Sequence, residues 1–220
     1  MSAPSGASAA SLSQSASAWV LDAPALARHL QAGGQAIFPT DTLPALAALP
    51  AHAAAIWSLK QRPAHKPLIL MGADATQLQS LLAAPWPEPW LAMAERCWPG
   101  PVTLVLPLAG PLSAALHPGG ASLGLRVPAS PVAQELLRLT GPLATTSVNR
   151  SGEPALVDPR AAAAAFPEIP LLGPLPWPAA LGQASQVLAW DSTLPESPSG
   201  GWQELRAGPA SARLRREPAG

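Results

Sequence analysis

The chain has 220 residues, 48% hydrophobic and 12% charged, which is enough apolar material for one sizeable core and sets a single domain as the expectation. Thirteen basic and thirteen acidic residues cancel, so no global positive charge draws the protein to nucleic acid or to an anionic membrane, and any such contact has to be local. The 29 prolines, the absence of tyrosine and the scarcity of lysine fit compositional drift rather than a fibrous repeat.

The first eighteen residues are small and polar, without a basic or an apolar block, so they are expected to be disordered and not a secretory signal. No later segment is apolar for long enough to span a bilayer. The expectation is a cytoplasmic protein with a disordered segment at 1–18, one domain over 19–208 and a loose tail at 209–220.

Asp22 caps a first helix, with Pro24 in its first turn, Leu26 and Leu30 four apart on one face, and Gly33-Gly34 beyond its end. Ala36–Phe38 then reads as a buried strand, 52–60 as a helix, 68–71 as a strand, 74–82 as a helix capped by Asp74, and 89–97 as a helix. Cys97, the only cysteine, sits in that last apolar helical context, which suggests a buried thiol in a reducing compartment. Val102–Leu106 and 123–127 are strands, 131–139 is a helix stopped by Gly141, Leu143–Ser147 is a strand, and 161–166 is a short helix. After a proline-rich connection, Gln186–Trp190 and Trp202–Arg206 are the last strands, with the chain loose from residue 207. This mixture indicates an α/β domain with one main sheet. The tryptophans read as core or cleft-wall residues.

The two lysines, Lys60 and Lys66, fall with Arg62 in one seven-residue stretch, KQRPAHK, while every other fixed cation is arginine. Compact cations gathered at one spot suit a polyphosphate, and a solvated basic turn is the plain alternative. Polar residues also collect just after strands, where open α/β sheets place their ligand crevice. PTDTLP brings Thr40, Asp41 and Thr42 there, and TTSVNRSG brings Thr145, Thr146, Ser147, Asn149 and Ser151. Each is a turn or a ligand loop. Arg126, inside the apolar GLRVP strand, has to meet a carboxylate or a phosphate, because an unpaired buried guanidinium is costly.

Taken in order, FPTDTLP, KQRPAHKPLIL, WPGPVTLVL, LGLRVP and PLATTSVNRSG resemble the motifs of the YrdC-like family, the threonylcarbamoyl-AMP synthases. The resemblance runs over residues 21–157 and continues weakly to 208. It implies a single YrdC-like α/β domain, with a twisted, open mixed sheet flanked by helices around a concave positive cleft. The implied reaction joins L-threonine, bicarbonate and ATP into L-threonylcarbamoyl-AMP and pyrophosphate, for the threonylcarbamoyl modification of tRNA at adenosine 37. By motif, Lys60 and Arg62 are the catalytic cations on the ATP phosphates, with Lys66 beside them. Ser122, Ser147, Asn149 and Arg206 would hold the nucleotide, and Thr42, Arg126, Thr145 and Ser185 the threonine. No protein-held metal is implied, since Mg²⁺ would ride on the phosphates. The implied partners are tRNA or double-stranded RNA and the downstream threonylcarbamoyl-transfer proteins, with no membrane.

Several positions depart from the family pattern. Pro44-Ala45 replaces the usual Tyr-Gly, the connection onward to Lys60 is short, Ala155 replaces a serine, Gln186 a threonine, and Met71 a histidine of some relatives. Pro44 removes a backbone donor, and Ala45 would be strained if the family glycine holds a positive φ. Besides an active synthase, these changes admit a non-catalytic paralogue that binds nucleotide or RNA, and a structural protein that keeps only the fold.

Overall fold

The computed structural model describes residues 19–81, 85–194 and 201–211. The expectations for 1–18, for residue 82 and for 212–220 lie outside them. One ten-stranded mixed sheet runs in the order β1-β8-β2-β3-β7-β4-β6-β5-β9-β10. Its strands are β1 (Val20–Leu21), β2 (Ala36–Phe38), β3 (Ala45–Ala48), β4 (Ile69–Met71), β5 (Val102–Leu106), β6 (Leu123–Arg126), β7 (Leu143–Ser147), β8 (Leu171–Leu172), β9 (Gln186–Trp190) and β10 (Trp202–Arg206). The helices are α1 (Ala23–Gln31), α2 (Ala54–Lys60), α3 (Ala75–Gln79), α4 (Glu88–Cys97), α5 (Pro111–Leu116), α6 (Pro131–Thr140) and α7 (Pro159–Ala165). Among the described residues no helix is long and apolar enough to cross a membrane.

Local chemistry accounts for the elements that sequence placed well. Asp22, Asp74, Ser130 and Asp158 each cap a helix by accepting from a backbone N–H of its first turn. The helix expected over 52–60 is instead a 3₁₀ turn, Pro50–His52, followed by α2. The helix expected from 74 is shorter, ending at Gln79. Four elements had no sequence reading. β1 and β8 are two-residue strands that exist only as partners in a parallel ladder, α5 is six residues long, and β3 is alanine-rich and buried on both faces, so it shows no alternation.

Successive strand residues pack into different cores, as the two-residue period of a strand demands. Ala36 and Phe38 join one cluster with Ala45 and Ala47 of β3, Leu26 and Leu30 of α1, and Leu136 and Leu137 of α6. Ile37, Leu46 and Ala48 join the other, with Trp57 of α2, Trp90 and Cys97 of α4, and Ala162 of α7. On that second side Trp98, Trp86, Trp90, Trp190 and Trp202 form a chain of edge-to-face contacts, with centroids 5.4 to 6.5 Å apart. Cys97 is buried, its Sγ 3.6 Å from Met93 Sδ. Beyond β10, Gly208 lies against β9, where an added Cβ would fall 2.3 Å from the Gln186 nitrogen, so the stretch expected to be loose from 207 packs against the sheet through residue 211.

The α1/α6 layer determines where a ligand can enter. Its cluster draws on β2, β3, β4, β7 and β8 but on no residue of β5, β6, β9 or β10. On that side the second half of the sheet is the floor of an open cleft.

Candidate functional site

Strand register gathers the cleft-lining residues. Thr145 of β7 pairs with Ile69 of β4, Ile69 with Gly124 of β6, and Gly124 with Val105 of β5. In the neighbouring row Met71 pairs with Arg126, and Thr103 with Val187. All eight line one cavity of about 470 Å³, while Leu70, Leu104, Leu125 and Leu188, between them in sequence, face the tryptophan core. Gly124 keeps the floor open, since a Cβ there would lie 2.9 Å from Ile69 Cγ2 and 3.3 Å from Thr103 Cγ2.

Arg206 reaches the same side through an irregularity. Glu204 pairs with Leu188 but Arg206 pairs with Val187, so one extra residue is inserted in β10. The bulge moves Arg206 from the register position of core-side Gln186 to that of cleft-lining Val187. Its Nε and Nη2 donate to the Ser185 carbonyl at 3.0 and 2.8 Å, and Nη2 lies 3.3 Å from Ser185 Oγ. Ser185 Oγ is 2.8 Å from Thr103 Oγ1.

Arg126 is 4% exposed and meets a carboxylate, one of the alternatives sequence left open. Nη2 donates to Asp41 Oδ1 at 2.7 Å, Nη1 to Thr42 Oγ1 at 2.7 Å, and Nε to the Gly100 carbonyl at 3.2 Å. Burial lowers its pKa, Asp41 acts in the opposite direction, and Arg206 adds to the lowering. Nη1 and Nη2 each keep a hydrogen for a ligand.

Proton directions at Thr42 follow from these contacts. Thr40 Oγ1 donates to the Leu43 carbonyl at 2.7 Å, so across the 3.1 Å contact Thr42 Oγ1 gives its hydrogen to Thr40. Thr42 also accepts from Arg126, which leaves it one lone pair and no hydrogen for the cleft. Thr145 Oγ1 gives its hydrogen to the Ile69 carbonyl at 3.4 Å and is likewise left as an acceptor.

At the other end Arg62 lines the cleft, steadied by Nη2 to the Pro67 carbonyl at 2.9 Å and Nε to the Lys66 carbonyl at 3.4 Å. Ser122 and Ser147 line it too, and the Ser122 carbonyl accepts from His117 Nδ1 at 2.9 Å. Lys60 and Asn149 stand behind Ser147 rather than in the wall. Lys60, 1% exposed, donates to the Ser147 carbonyl and to Asn149 Oδ1 at 2.8 Å, and Ser147 Oγ donates to the same Asn149 oxygen at 2.8 Å. Burial, with Arg62 nearby, brings the Lys60 pKa down to about 8. Lys66 is exposed and its side chain is not part of the wall. The structure thus brings eight of the residues read from the motifs into one cleft: Thr42, Arg62, Ser122, Arg126, Thr145, Ser147, Ser185 and Arg206.

The departures at 44 and 45 cost less than sequence suggested. Ala45 lies in β3, paired with Phe38 and Ser147, and Gln61 is the only non-glycine residue with positive φ among the described residues. No strain falls on Ala45. Pro44 lines the cleft, and its carbonyl accepts from the Val148 N–H at 3.2 Å. Met71 contributes an apolar wall where a histidine would donate or accept. Sequence reasoning missed Thr103 and His117. Thr103 is the one polar residue of its strand and carried a signal in that position, whereas His117 had none.

The lining includes three arginines, Arg62, Arg126 and Arg206, and no aspartate or glutamate. Such a cleft favours anions. Among the described residues no group of three or more histidines, cysteines or carboxylates stands ready to hold a metal.

A model of the Sua5/YciO/YrdC family, described as telomere recombination, matches residues 28–189. The threonylcarbamoyl-AMP synthase of Stutzerimonas stutzeri (strain A1501) is 37% identical over 133 residues, 59% of this chain and 71% of that protein. The threonylcarbamoyl-AMP synthase of Bacillus subtilis (strain 168) is 38% identical over 123 residues, 54% of this chain and 35% of that one. Among solved structures, P. abyssi Sua5 complexed with L-threonine superposes with a TM-score of 0.72 at 31% identity, over 84% of this chain and 53% of that chain. This chain therefore spans about half the length of that protein. E. coli YciO shares the fold, with a TM-score of 0.70 at 22% identity, over 87% of this chain and 91% of that one.

Proposed function

The chain belongs to the Sua5/YciO/YrdC family, and from that membership we propose that it is an L-threonylcarbamoyladenylate synthase, a nucleotidyltransferase using L-threonine, bicarbonate and ATP. The observation that carries the proposal is the cleft's polarity. At one end Arg126 offers two N–H groups while Thr42 and Thr145 offer only lone pairs, which suits a carboxylate beside an amine and a hydroxyl. At the other, Arg62 and Ser147 line the wall in front of Lys60 and Asn149, which suits a polyphosphate.

In this reading the threonine carboxylate takes the free hydrogens of Arg126, and its amine and hydroxyl donate to Thr42 and Thr145. The amine nitrogen adds to the bicarbonate carbon, and loss of water leaves a carbamate. A carbamate oxygen then attacks the α-phosphorus, the bond to the bridging oxygen breaks, and pyrophosphate leaves with the electron pair. No protein nucleophile is needed, so the protein acts by positioning and by charge. Arg62 faces the phosphates directly, and Lys60 acts from behind Ser147. Ser122, Ser147, Asn149 and Arg206 hold the nucleotide, and Lys66 adds charge near the entrance. Mg²⁺ would be carried by phosphate oxygens, in keeping with a wall that has no carboxylate. The product would serve tRNA modification in the cytoplasm, handed to threonylcarbamoyl-transfer proteins.

The test is mass-spectrometric detection of threonylcarbamoyl-AMP from the purified protein with ATP, Mg²⁺, bicarbonate and L-threonine, leaving out one reactant at a time. Product that vanishes with every omission supports the synthase. Bound ATP without product would turn the reading to a non-catalytic paralogue that holds nucleotide or RNA.

Arg62→Ala gives a second check, because among the described residues this half-buried arginine anchors only to two nearby carbonyls. Pyrophosphate release should fall by roughly two orders of magnitude or more while the denaturation midpoint stays near that of the unmodified protein. Unchanged turnover would remove Arg62 from the phosphate site.

A further inference from the structure

The cleft contains one buried hydroxyl that the assignments above leave without a role, Thr103 of β5. It is 2% exposed and lines the cavity. We propose that Thr103 is a positioning residue for the amino-acid substrate: it gives its hydroxyl hydrogen to Ser185 and so commits the Ser185 hydroxyl to donate into the cleft. The proposal rests on the reading of this cleft as a threonine site.

Proton directions around the Ser185 hydroxyl carry this role. A guanidinium only donates, so Arg206 Nη2, 3.3 Å from Ser185 Oγ, takes one of that oxygen's lone pairs. Thr103 Oγ1, at 2.8 Å, stands at the other. The contact by itself allows either hydroxyl to donate, and the direction from Thr103 to Ser185 is the role assigned to Thr103. Its methyl, Cγ2, lies toward Gly124 in the strand on one flank, 3.3 Å from where a Cβ would be. The branched side chain, restricted in χ1, thereby turns its hydroxyl toward Ser185 at the head of β9 on the other flank. In this role Ser185 is the acceptor there, and Thr103 Oγ1 has no second hydrogen-bond partner among the described residues. With both lone pairs of Ser185 filled, its own hydrogen has only the cleft to enter.

A polarity follows that neither residue carries alone. Ser185 joins the free N–H groups of Arg126 as a donor, at the same end of the cleft as the acceptors Thr42 and Thr145. An amino acid then binds in one sense, its carboxylate toward Arg126 and Ser185 and its amine toward Thr42. Without the Thr103 hydroxyl, Ser185 is free to turn its hydrogen elsewhere, and the donor in the cleft is lost from part of the population.

The experiment is isothermal titration of L-threonine, and separately of ATP, into the full chain and its Thr103→Val and Thr103→Ser variants. Valine keeps the shape and removes the hydroxyl, and serine keeps the hydroxyl. The expected result is a threonine Kd raised about tenfold in Thr103→Val and restored to within about twofold in Thr103→Ser, with the ATP Kd moved by less than about twofold in both. Threonine binding unaffected by valine, an equal loss for ATP, or no rescue by serine would overturn the positioning role while leaving the synthase reading in place. An unmodified protein that binds no threonine would overturn both. Should the valine variant not fold, Thr103→Ala against Thr103→Ser makes the same comparison.

Discussion

Arg126→Met lowers kcat/KM for threonine by about two orders of magnitude or more, the cost of truncating one member of a buried, hydrogen-bonded charge pair at a binding site. Among the described residues Arg126 is the only side chain that holds Asp41 in an ion pair, and the second carboxylate oxygen, Asp41 Oδ2, is buried there without a partner. Methionine fills the space of the stem and leaves that carboxylate uncompensated, so unfolding free energy falls by about 3–5 kcal/mol. Thr42 loses the donor that fixed one of its lone pairs. Adding Asp41→Asn removes the buried charge and should recover much of the stability while recovering none of the threonine use. The two effects are read separately, by denaturant unfolding and by threonine-dependent product formation. A double variant that regains activity with stability would mean that Arg126 is structural only.

Lys60→Met is the second large effect, and its pH dependence distinguishes charge from packing. Lys60 gives hydrogens to the Ser147 carbonyl and to Asn149 Oδ1, and an ammonium keeps one more for an anion. Methionine removes a donor from both acceptors; Asn149 Oδ1 keeps the Ser147 hydroxyl, the Ser147 carbonyl is left short at a cost of roughly 1–3 kcal/mol if it stays dry, and the Ser147–Asn149 wall loosens. Pyrophosphate release should fall by roughly two orders of magnitude or more. In the unmodified protein the Lys60 pKa is down at about 8 in place of 10.5, because burial penalises the charged form. Between those values the unfolded chain holds a proton that the folded chain has released, so this site makes stability rise with pH across that window. Below about 8 both states are protonated and the site contributes no slope. ATP affinity runs the other way, falling above about pH 8 as the third hydrogen is lost. Both trends should be absent in Lys60→Met. An unchanged ATP-affinity profile in the variant would assign the pH dependence to another group.

Lys60 also shows how motif reading and geometry divide the work. KQRPAHK marks a cationic site whichever residue does the contacting, but in the structure Arg62 lines the cleft, Lys60 braces the wall behind it, and Lys66 is exposed. The reason is helical geometry. Lys60 is the last residue of α2 and is buried, Gln61 takes a left-handed turn with φ 51°, and only then does the chain reach Arg62. Spacing in sequence does not reveal that reversal.

Elsewhere local chemistry sufficed. Asp22 and Asp74 marked helix starts, and Val102–Leu106, Leu143–Ser147 and Gln186–Trp190 were legible as strands because they are largely apolar or β-branched runs bounded by turn residues. β3 was not, since its short alanine-rich run carries no period and acquires strand geometry from Phe38 on one side and Ser147 on the other. The strain expected at Ala45 vanished for the same reason: extended backbone between two ladders accepts any L residue.

The sequence by itself determined the family, the α/β class, and the presence of a buried arginine in β6 that needed a carboxylate or phosphate partner, because these follow from residue types and their order. It did not determine which faces meet. That Arg126, Thr103 and Thr145 share a cleft depends on the registers of β4, β5, β6 and β7, and that Arg206 joins them depends on one inserted residue in β10. A strand shifted by one residue turns every side chain to the other side of the sheet, and register is decided by long-range pairing energies that no local pattern encodes.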